Sequence, residues 1–177
     1  LGDLIKRPNI PQEFPTTPTP EPAAAQGAPA QGAPMAKASV KDMLLKGAAT
    51  LQAGGAALTK ELTAEGNLPL FRLPEAQERG CGGLVTGLPL FAFKWSGKTE
   101  NLRVSFAGDG DSTLMVIDAA NRVVLCNDDG QAGSTDPAID IENPAEGAYL
   151  VYVGRINPEK PVQGTLTVAE APKGGTQ

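Results

Sequence analysis

Short runs in which apolar and polar residues alternate occupy the chain from about residue 66 to residue 170. Every second residue of the run 102–106 is apolar, the run 165–168 shows the same alternation, and residues 149, 151 and 153 of an apolar run share one face. Successive side chains of a strand point to opposite faces, so period two is typical of half-buried strands. These runs, separated by Gly, Asn, Asp and Pro, predict a mainly β protein with a jelly-roll-like antiparallel β-sandwich over residues 66–170.

Aromatic residues in these runs are the bulkiest candidates for the core of the sandwich. Tyr149 and Tyr152 lie three apart in one run and are predicted to point to opposite faces of a strand. Between the runs 113–118 and 122–126, residues 119–121 predict a tight hairpin. The side chains expected to fill the core or its margin are Phe91, Phe93, Trp95, Phe106 and Tyr149.

The pattern changes to helical spacing in residues 38–65, which we interpret as a helical segment and a connector. Ser39 suits an N-cap, and Gly54-Gly55 is expected to end the helix. We predict a helix over 39–52 and leave 56–65 open between a helix and an edge strand. The apolar residues at helical spacing are Val40, Leu44, Ala48 and Leu51.

Proline dominates the N-terminal part of the chain. Eight of the sixteen prolines fall in residues 8–34, where each removes a backbone donor and restricts its own φ and its predecessor. Residues 1–37 are therefore predicted to form a Pro/Ala-rich extended arm or linker. An arm without a core of its own is expected to dock on partner proteins. Residues 171–177 are predicted to be a tail.

Composition narrows the classes of function. Lys and Arg number 15 against 20 Asp and Glu, a net charge of -5, so nucleic acid is not an expected partner. The chain has no histidine, which removes Ser-His-Asp and Cys-His nucleophiles and histidine metal sites. No apolar run is long enough for a transmembrane helix, although association with a membrane complex stays open. No signal peptide is recognisable at Leu1, which favours a mature or partial form of a longer chain.

Two cysteines, Cys81 and Cys126, are expected to form one disulfide, with a pair of buried thiols as the alternative. Their bond would close a loop of about 45 residues and would indicate an extracytoplasmic compartment: a bacterial periplasm, the outer-membrane surface or the exterior.

The carboxylates raise the question of a metal. Asp109 and Asp111 sit two apart in one loop, and Asp129 ends a later strand in Asn127-Asp128-Asp129. In a sandwich, loops at the same end can bring such oxygen ligands to one calcium ion. The alternative is ordinary turn chemistry, since Asp and Asn side chains bond nearby backbone N–H groups. No other cofactor is predicted.

Residues 84–169 resemble the bacterial pre-peptidase C-terminal domain. The similarity rests on Gly108-Asp109-Gly110-Asp111, the apolar run 114–117, Asn127-Asp128-Asp129 and the run 147–153. The resemblance implies a small secreted, non-catalytic β-sandwich that accompanies exported enzymes. Relatives in collagenases bind calcium and a polymeric ligand.

These observations predict a non-catalytic extracytoplasmic module, an accessory or structural subunit of a larger assembly. The N-terminal arm would dock on partner proteins. The alternative is a ligand-binding domain of an exported enzyme, specific for carbohydrate or protein and stabilised by calcium. Neither a nucleophile elbow nor a phosphate-binding loop is present, so an enzyme is not expected.

Overall fold

Eleven strands and one short α-helix make up the described part of the protein. The computed structural model describes residues 40–77, 80–118, 120, 124–130 and 133–172. The predicted arm of residues 1–37 lies outside these residues, as do Ala119 and Asn121 of the predicted hairpin turn and most of the predicted tail. The elements are α1 Val40–Lys46, β1 Ala49–Gln52, β2 Leu58–Ala64, β3 Leu68–Pro69, two 3₁₀ helices at Leu70–Arg72 and Pro74–Ala76, β4 Leu84–Val85, β5 Phe91–Ser96, β6 Asn101–Gly108, β7 Ser112–Asp118, β8 Val124–Asn127, β9 Ala138–Glu142, β10 Gly147–Arg155 and β11 Val162–Glu170.

The strands form two sheets packed face to face, which confirms the predicted mainly β, antiparallel sandwich. Sheet A runs β1-β5-β10-β7-β8, with β4 and β3 continuing beside the C-terminal end of β10. Sheet B runs β2-β11-β6-β9. Neighbouring strands are antiparallel except β1 and β5, which pair in parallel. The seven-residue α1 is far too short to cross a bilayer, and no other helix in the described residues could do so.

The space between the sheets is filled by the alternating residues that period two predicts. Leu102, Val104 and Phe106 of β6 and Leu166 and Val168 of β11 are fully buried there. The Phe93 and Tyr149 rings from sheet A stack with centroids 5.0 Å apart and planes 10° from parallel. Trp95 is buried in the same cluster, and Phe91 packs against it.

Sheet A is apolar on its outer face as well. Met115, Ile117, Leu150 and Tyr152 point away from the interior and are buried in a second cluster. The prediction that Tyr149 and Tyr152 take opposite faces is therefore confirmed. Burial raises the pKa of the Tyr152 phenol, and the negative charge of Glu75 raises it further.

The described residues between 70 and 81 (70–77, 80 and 81), which we call the cover segment, bury this outer face. Leu70 and Ala76 of its two 3₁₀ helices and Leu73, the extended residue between them, all enter the second cluster. The prediction that the runs over 66–170 are strands is therefore wrong at residues 70–76.

The disulfide between Cys81 and Cys126 joins the cover segment to β8, with Cα atoms 5.9 Å apart. This confirms the predicted pairing. The bond spans 45 residues, and a loop of that length corresponds to roughly 4 kcal/mol in the chain-entropy model. The bond thus holds the far end of the cover segment against the sheet that it shields.

The predicted helix over 39–52 is wrong in its second half. It ends at Lys46, and residues 49–52 form β1, which pairs with residues 93–96. Residues 58–64, which the sequence left open, form β2 and pair with β11 along their full length. The boundary predicted at residue 66 therefore falls inside the sandwich, which begins at β1.

The open edges of sheet B, β2 and β9, both carry features that oppose the addition of another strand. Lys60 pairs with the inward-facing Leu166 and so occupies an inward position of β2, yet it is exposed. Inward-pointing charge and proline are common protections of edge strands. Strand β9 is bracketed by Pro137 and Pro144.

Replacing Leu70 by alanine is expected to lower the free energy of unfolding by about 2–5 kcal/mol, because a fully buried side chain is deleted. Phe71→Ala is the matched control, since Phe71 is 58% exposed, and is expected to change stability by less than about 0.5 kcal/mol. Urea denaturation of both oxidised variants measures the difference. Equal losses would contradict a cover segment anchored by Leu70.

Candidate functional site

Three loops meet at one end of the sandwich, which we call the loop end. They are the β6–β7 turn (109–111), the described residues of the β8–β9 loop (128–130 and 133–137) and the β10–β11 loop (156–161). The Ile156 N–H donates to the Asp111 carbonyl at 3.1 Å, and the Asp109 N–H donates to the Gln163 carbonyl at 2.9 Å. The loops that carry the predicted calcium ligands therefore do lie at the same end.

Asp109 bonds to the β10–β11 side of this end. Its Oδ1 accepts from the Gln163 N–H at 2.9 Å, and its Oδ2 lies 3.5 Å from the Lys160 ammonium. The Gln163 hydrogen bond holds the pKa of the Asp109 carboxyl below its ordinary value, with a smaller contribution from the Lys160 charge. Asp109 thus ties one loop to the next.

Asp111 and Asp129 are both exposed. The Asp129 N–H donates to Asn127 Oδ1 at 2.7 Å, which is the turn chemistry that the sequence offered as the alternative to a metal. Within the described residues, no three acidic or cysteine side chains come together as a metal site. Calcium binding by Asp109, Asp111 and Asp129 stays a prediction.

Thermal denaturation in calcium chloride and in EDTA tests this prediction. A bound calcium ion is expected to raise Tm of the wild-type chain, because a ligand that binds only the folded state stabilises it. Asp111→Ala removes one predicted ligand without touching the Asp109 contacts and should abolish the shift. Equal melting temperatures in calcium and EDTA would contradict the calcium site.

Asp136 is the loop-end residue that sequence reasoning missed. Its Oδ1 accepts from the Gly108 N–H at 3.0 Å, and its carbonyl accepts from the Gly130 N–H at 2.8 Å. Ser134 Oγ accepts from the Asp136 N–H at 3.0 Å. Glycine is needed at 130, since a Cβ there would lie 2.7 Å from the Asp136 carbonyl oxygen. The β8–β9 loop is therefore fixed against β6.

A groove of about 220 Å³ lies between this loop and the outer face of sheet B. We call it the sheet-B groove. Its floor is formed by the outward side chains of β6 and the start of β9, and its wall by the β8–β9 loop. The residues that matter here are Arg103, Ser105 and Ala107 of β6, Pro137 and Ala138 of the β9 side, and Gly130, Ser134 and Asp136 of the wall.

Arg103 contributes the oriented cation of the sheet-B groove. Its Nε and Nη2 donate to the two carboxylate oxygens of Asp140 at 2.9 and 2.7 Å. Asn101 Nδ2 also donates to Asp140, at 2.9 Å. The Arg103 hydrogen bond and, after it, the one from Asn101 hold the pKa of the Asp140 carboxyl below its ordinary value. A carboxylate in this setting serves as an anchor for the guanidinium.

No protein-family model matches this chain, and no curated protein matches it. Among solved structures, it is similar to the periplasmic PliG of Aeromonas hydrophila, an inhibitor of g-type lysozyme. The alignment has 15% identity and a TM-score of 0.33, and it covers 68% of this chain and 95% of that chain. A likeness at this level does not establish a shared function.

Acid is expected to remove the stabilisation that the Arg103–Asp140 pair provides. A carboxyl whose pKa is lowered by folding contributes stability above its unfolded pKa, and loses it as the pH falls through the folded pKa. The side chains are 41% and 39% exposed, so solvent screening limits the contribution to about 1 kcal/mol or less. Asp140→Asn should lower stability at neutral pH and converge with wild type at about pH 2.

Urea denaturation of wild type and Asp140→Asn, from neutral pH down to the acid end of the range, measures this difference in stability. In an Arg103→Gln background, Asp140→Asn is expected to have little further effect at neutral pH. An undiminished loss in that background would show that the carboxylate acts through groups other than Arg103.

Proposed function

We propose that this protein is a non-catalytic, extracytoplasmic β-sandwich module that binds other proteins as an accessory subunit of a larger assembly. The observation that carries the proposal is the Cys81–Cys126 disulfide. Disulfides persist in oxidising compartments and are rare in the reducing cytosol. Because this bond holds the cover segment against sheet A, it serves the fold, which favours a permanent structural link over a transient redox pair.

The arrangement of the sandwich favours binding over chemistry. The interior and the outer face of sheet A are filled with apolar side chains, which leaves the outer face of sheet B as the broad accessible surface. Rigid scaffolds that present a preformed surface bind with less loss of conformational entropy. The charged pair on this face, Arg103 and Asp140, is the kind that orients a donor for recognition.

The N-terminal arm is a second element of the proposal. Proline-rich segments adopt an extended conformation at low entropic cost and dock in aromatic-lined grooves of partner proteins. Residues 1–37 have this composition. We assign them the role of a tether to partners, while the sandwich supplies a separate contact.

A second candidate is the ligand-binding domain of an exported enzyme, similar to the pre-peptidase C-terminal domain. The meeting of two Asp-bearing loops, the β6–β7 turn and the β8–β9 loop, at one end of the sandwich favours this candidate. The comparison of melting temperatures in calcium chloride and in EDTA, described above, separates the two candidates, since only a calcium-stabilised module is expected to show a shift.

Thiol trapping in intact cells of the source tests the location. Free thiols are blocked with a membrane-permeant alkylating agent before lysis, and the protein is then resolved with and without reductant. We expect Cys81 and Cys126 to resist alkylation until reductant is added. A double Cys81→Ser, Cys126→Ser variant identifies the alkylated and unalkylated bands.

Native gel filtration of gently solubilised cells tests the assembly. The protein is expected to elute far ahead of the purified monomer. Thiols that are alkylated without reductant would contradict the extracytoplasmic location, and elution as a monomer would contradict the accessory-subunit role.

A further inference from the structure

We propose that the sheet-B groove binds an extended segment of a partner protein, with a backbone carbonyl of that segment accepting from Arg103 and a small apolar side chain lying on Ala107, Pro137 and Ala138. The inference rests on the proposed function, because it names the surface through which the module would bind. It is carried by the groove's geometry, its charge balance and its rigidity.

The balance of charge between Arg103 and Asp140 decides which kind of acceptor on the partner segment suits Arg103. A guanidinium has five N–H donors, and Asp140 takes one from Nε and one from Nη2 of Arg103. The other donors are available on a side chain that is 41% exposed. A free arginine favours carboxylate or phosphate, but here the Asp140 charge already balances it. A neutral acceptor such as a peptide carbonyl therefore suits this donor better than an anion does.

The size and lining of the groove decide which side chain of the partner segment fits into it. At about 220 Å³ it is smaller than the roughly 300–1,000 Å³ typical of pockets for whole small molecules. The alanine and proline side chains of the floor are short, so they leave room for a methyl, isopropyl or pyrrolidine group. Ser105 adds a hydroxyl at the floor, which can bond the backbone beside such a residue.

A sugar ring fits the groove less well. The apolar face of a sugar packs best on an exposed aromatic ring, and aromatic side chains carry most of the contact area at such sites. Within the described residues, the large apolar side chains that are exposed are Phe71 and Leu88, and neither lines the groove. Phe106 borders it but is fully buried between the sheets.

The groove is formed before any ligand arrives. The Phe106 N–H donates to the Pro137 carbonyl at 3.0 Å and the Ser112 N–H to the Thr135 carbonyl at 3.4 Å. With the bond from the Gly108 N–H to Asp136 Oδ1, they fix residues 135–137 of the wall to β6 and β7, and the bond from the Gly130 N–H to the Asp136 carbonyl ties the start of the loop to that end. A preformed groove spares the ligand the cost of ordering its receptor, so a short segment can bind measurably.

Selection from a phage-displayed library of random twelve-residue peptides on the full-length chain tests the proposal. We expect enriched peptides to carry Ala, Val or Pro at a recurring position. Binding of a fluorescent copy of one such peptide is then measured by anisotropy. Ala107→Arg places a bulky side chain in the groove from an exposed position and should weaken binding at least about tenfold, a change equal to 1.4 kcal/mol.

Matched variants separate the groove from the rest of the face. Thr59→Arg adds the same charge on β2, two strands from Ser105 in the register of sheet B, and should leave the affinity unchanged. Arg103→Gln should weaken binding by a similar factor to Ala107→Arg. Urea midpoints of all three variants show whether each is folded.

Three outcomes would overturn the inference: no peptide is enriched, the peptide binds Ala107→Arg as tightly as wild type, or chitohexaose or maltohexaose binds in place of peptides and is displaced by Ala107→Arg. Failure here is distinct from failure of the proposed function. If no peptide binds the groove while the wild-type chain still elutes in a large complex, the groove assignment is wrong and the accessory-subunit role stands.

Discussion

Sheet A is apolar on both faces, and keeping both faces dry is the constraint on which the rest of the molecule depends. One face is covered by sheet B. No third sheet covers the other face within the described residues, and the cover segment lies over it with two single-turn 3₁₀ helices. Such a short stretch makes few backbone bonds of its own, so the disulfide at Cys81 supplies what a longer element would obtain from regular hydrogen bonding.

The period-two pattern was sufficient to predict the strands that lie between the sheets. In β6, β10 and β11, one face contacts the interior along the whole strand, so burial and sequence pattern coincide. The pattern failed where long-range pairing decides. Residues 49–52 have helical spacing with the residues before them, yet β5 offers an open edge and they extend to pair with it. The local sequence of residues 49–52 does not show that a distant strand is available for pairing.

The candidate site was predictable only in part. The loops that hold Asp109, Asp111 and Asp129 lie at the same end, because successive connections alternate between the two ends of a sandwich and the β6–β7 and β8–β9 connections are separated by one other. Which carboxylate contacts which backbone group could not be predicted, since those partners lie 28 to 54 residues away. Arg103 gave no signal because an arginine at an outward position of a strand is ordinary. Its importance comes from Asp140, which is its neighbour only through the register of β6 and β9.

The protected edges of sheet B affect how chains of this protein contact one another at high concentration. Chains held close together in an assembly or in a crowded envelope meet one another edge to edge many times. A second strand could join β2 only if the Lys60 ammonium lost its hydration. The prolines that flank β9 have no N–H group, so they interrupt the row of donors that an added strand would need. These features oppose pairing of two chains through the edges of sheet B, so contacts with neighbours are left to surfaces that discriminate between them.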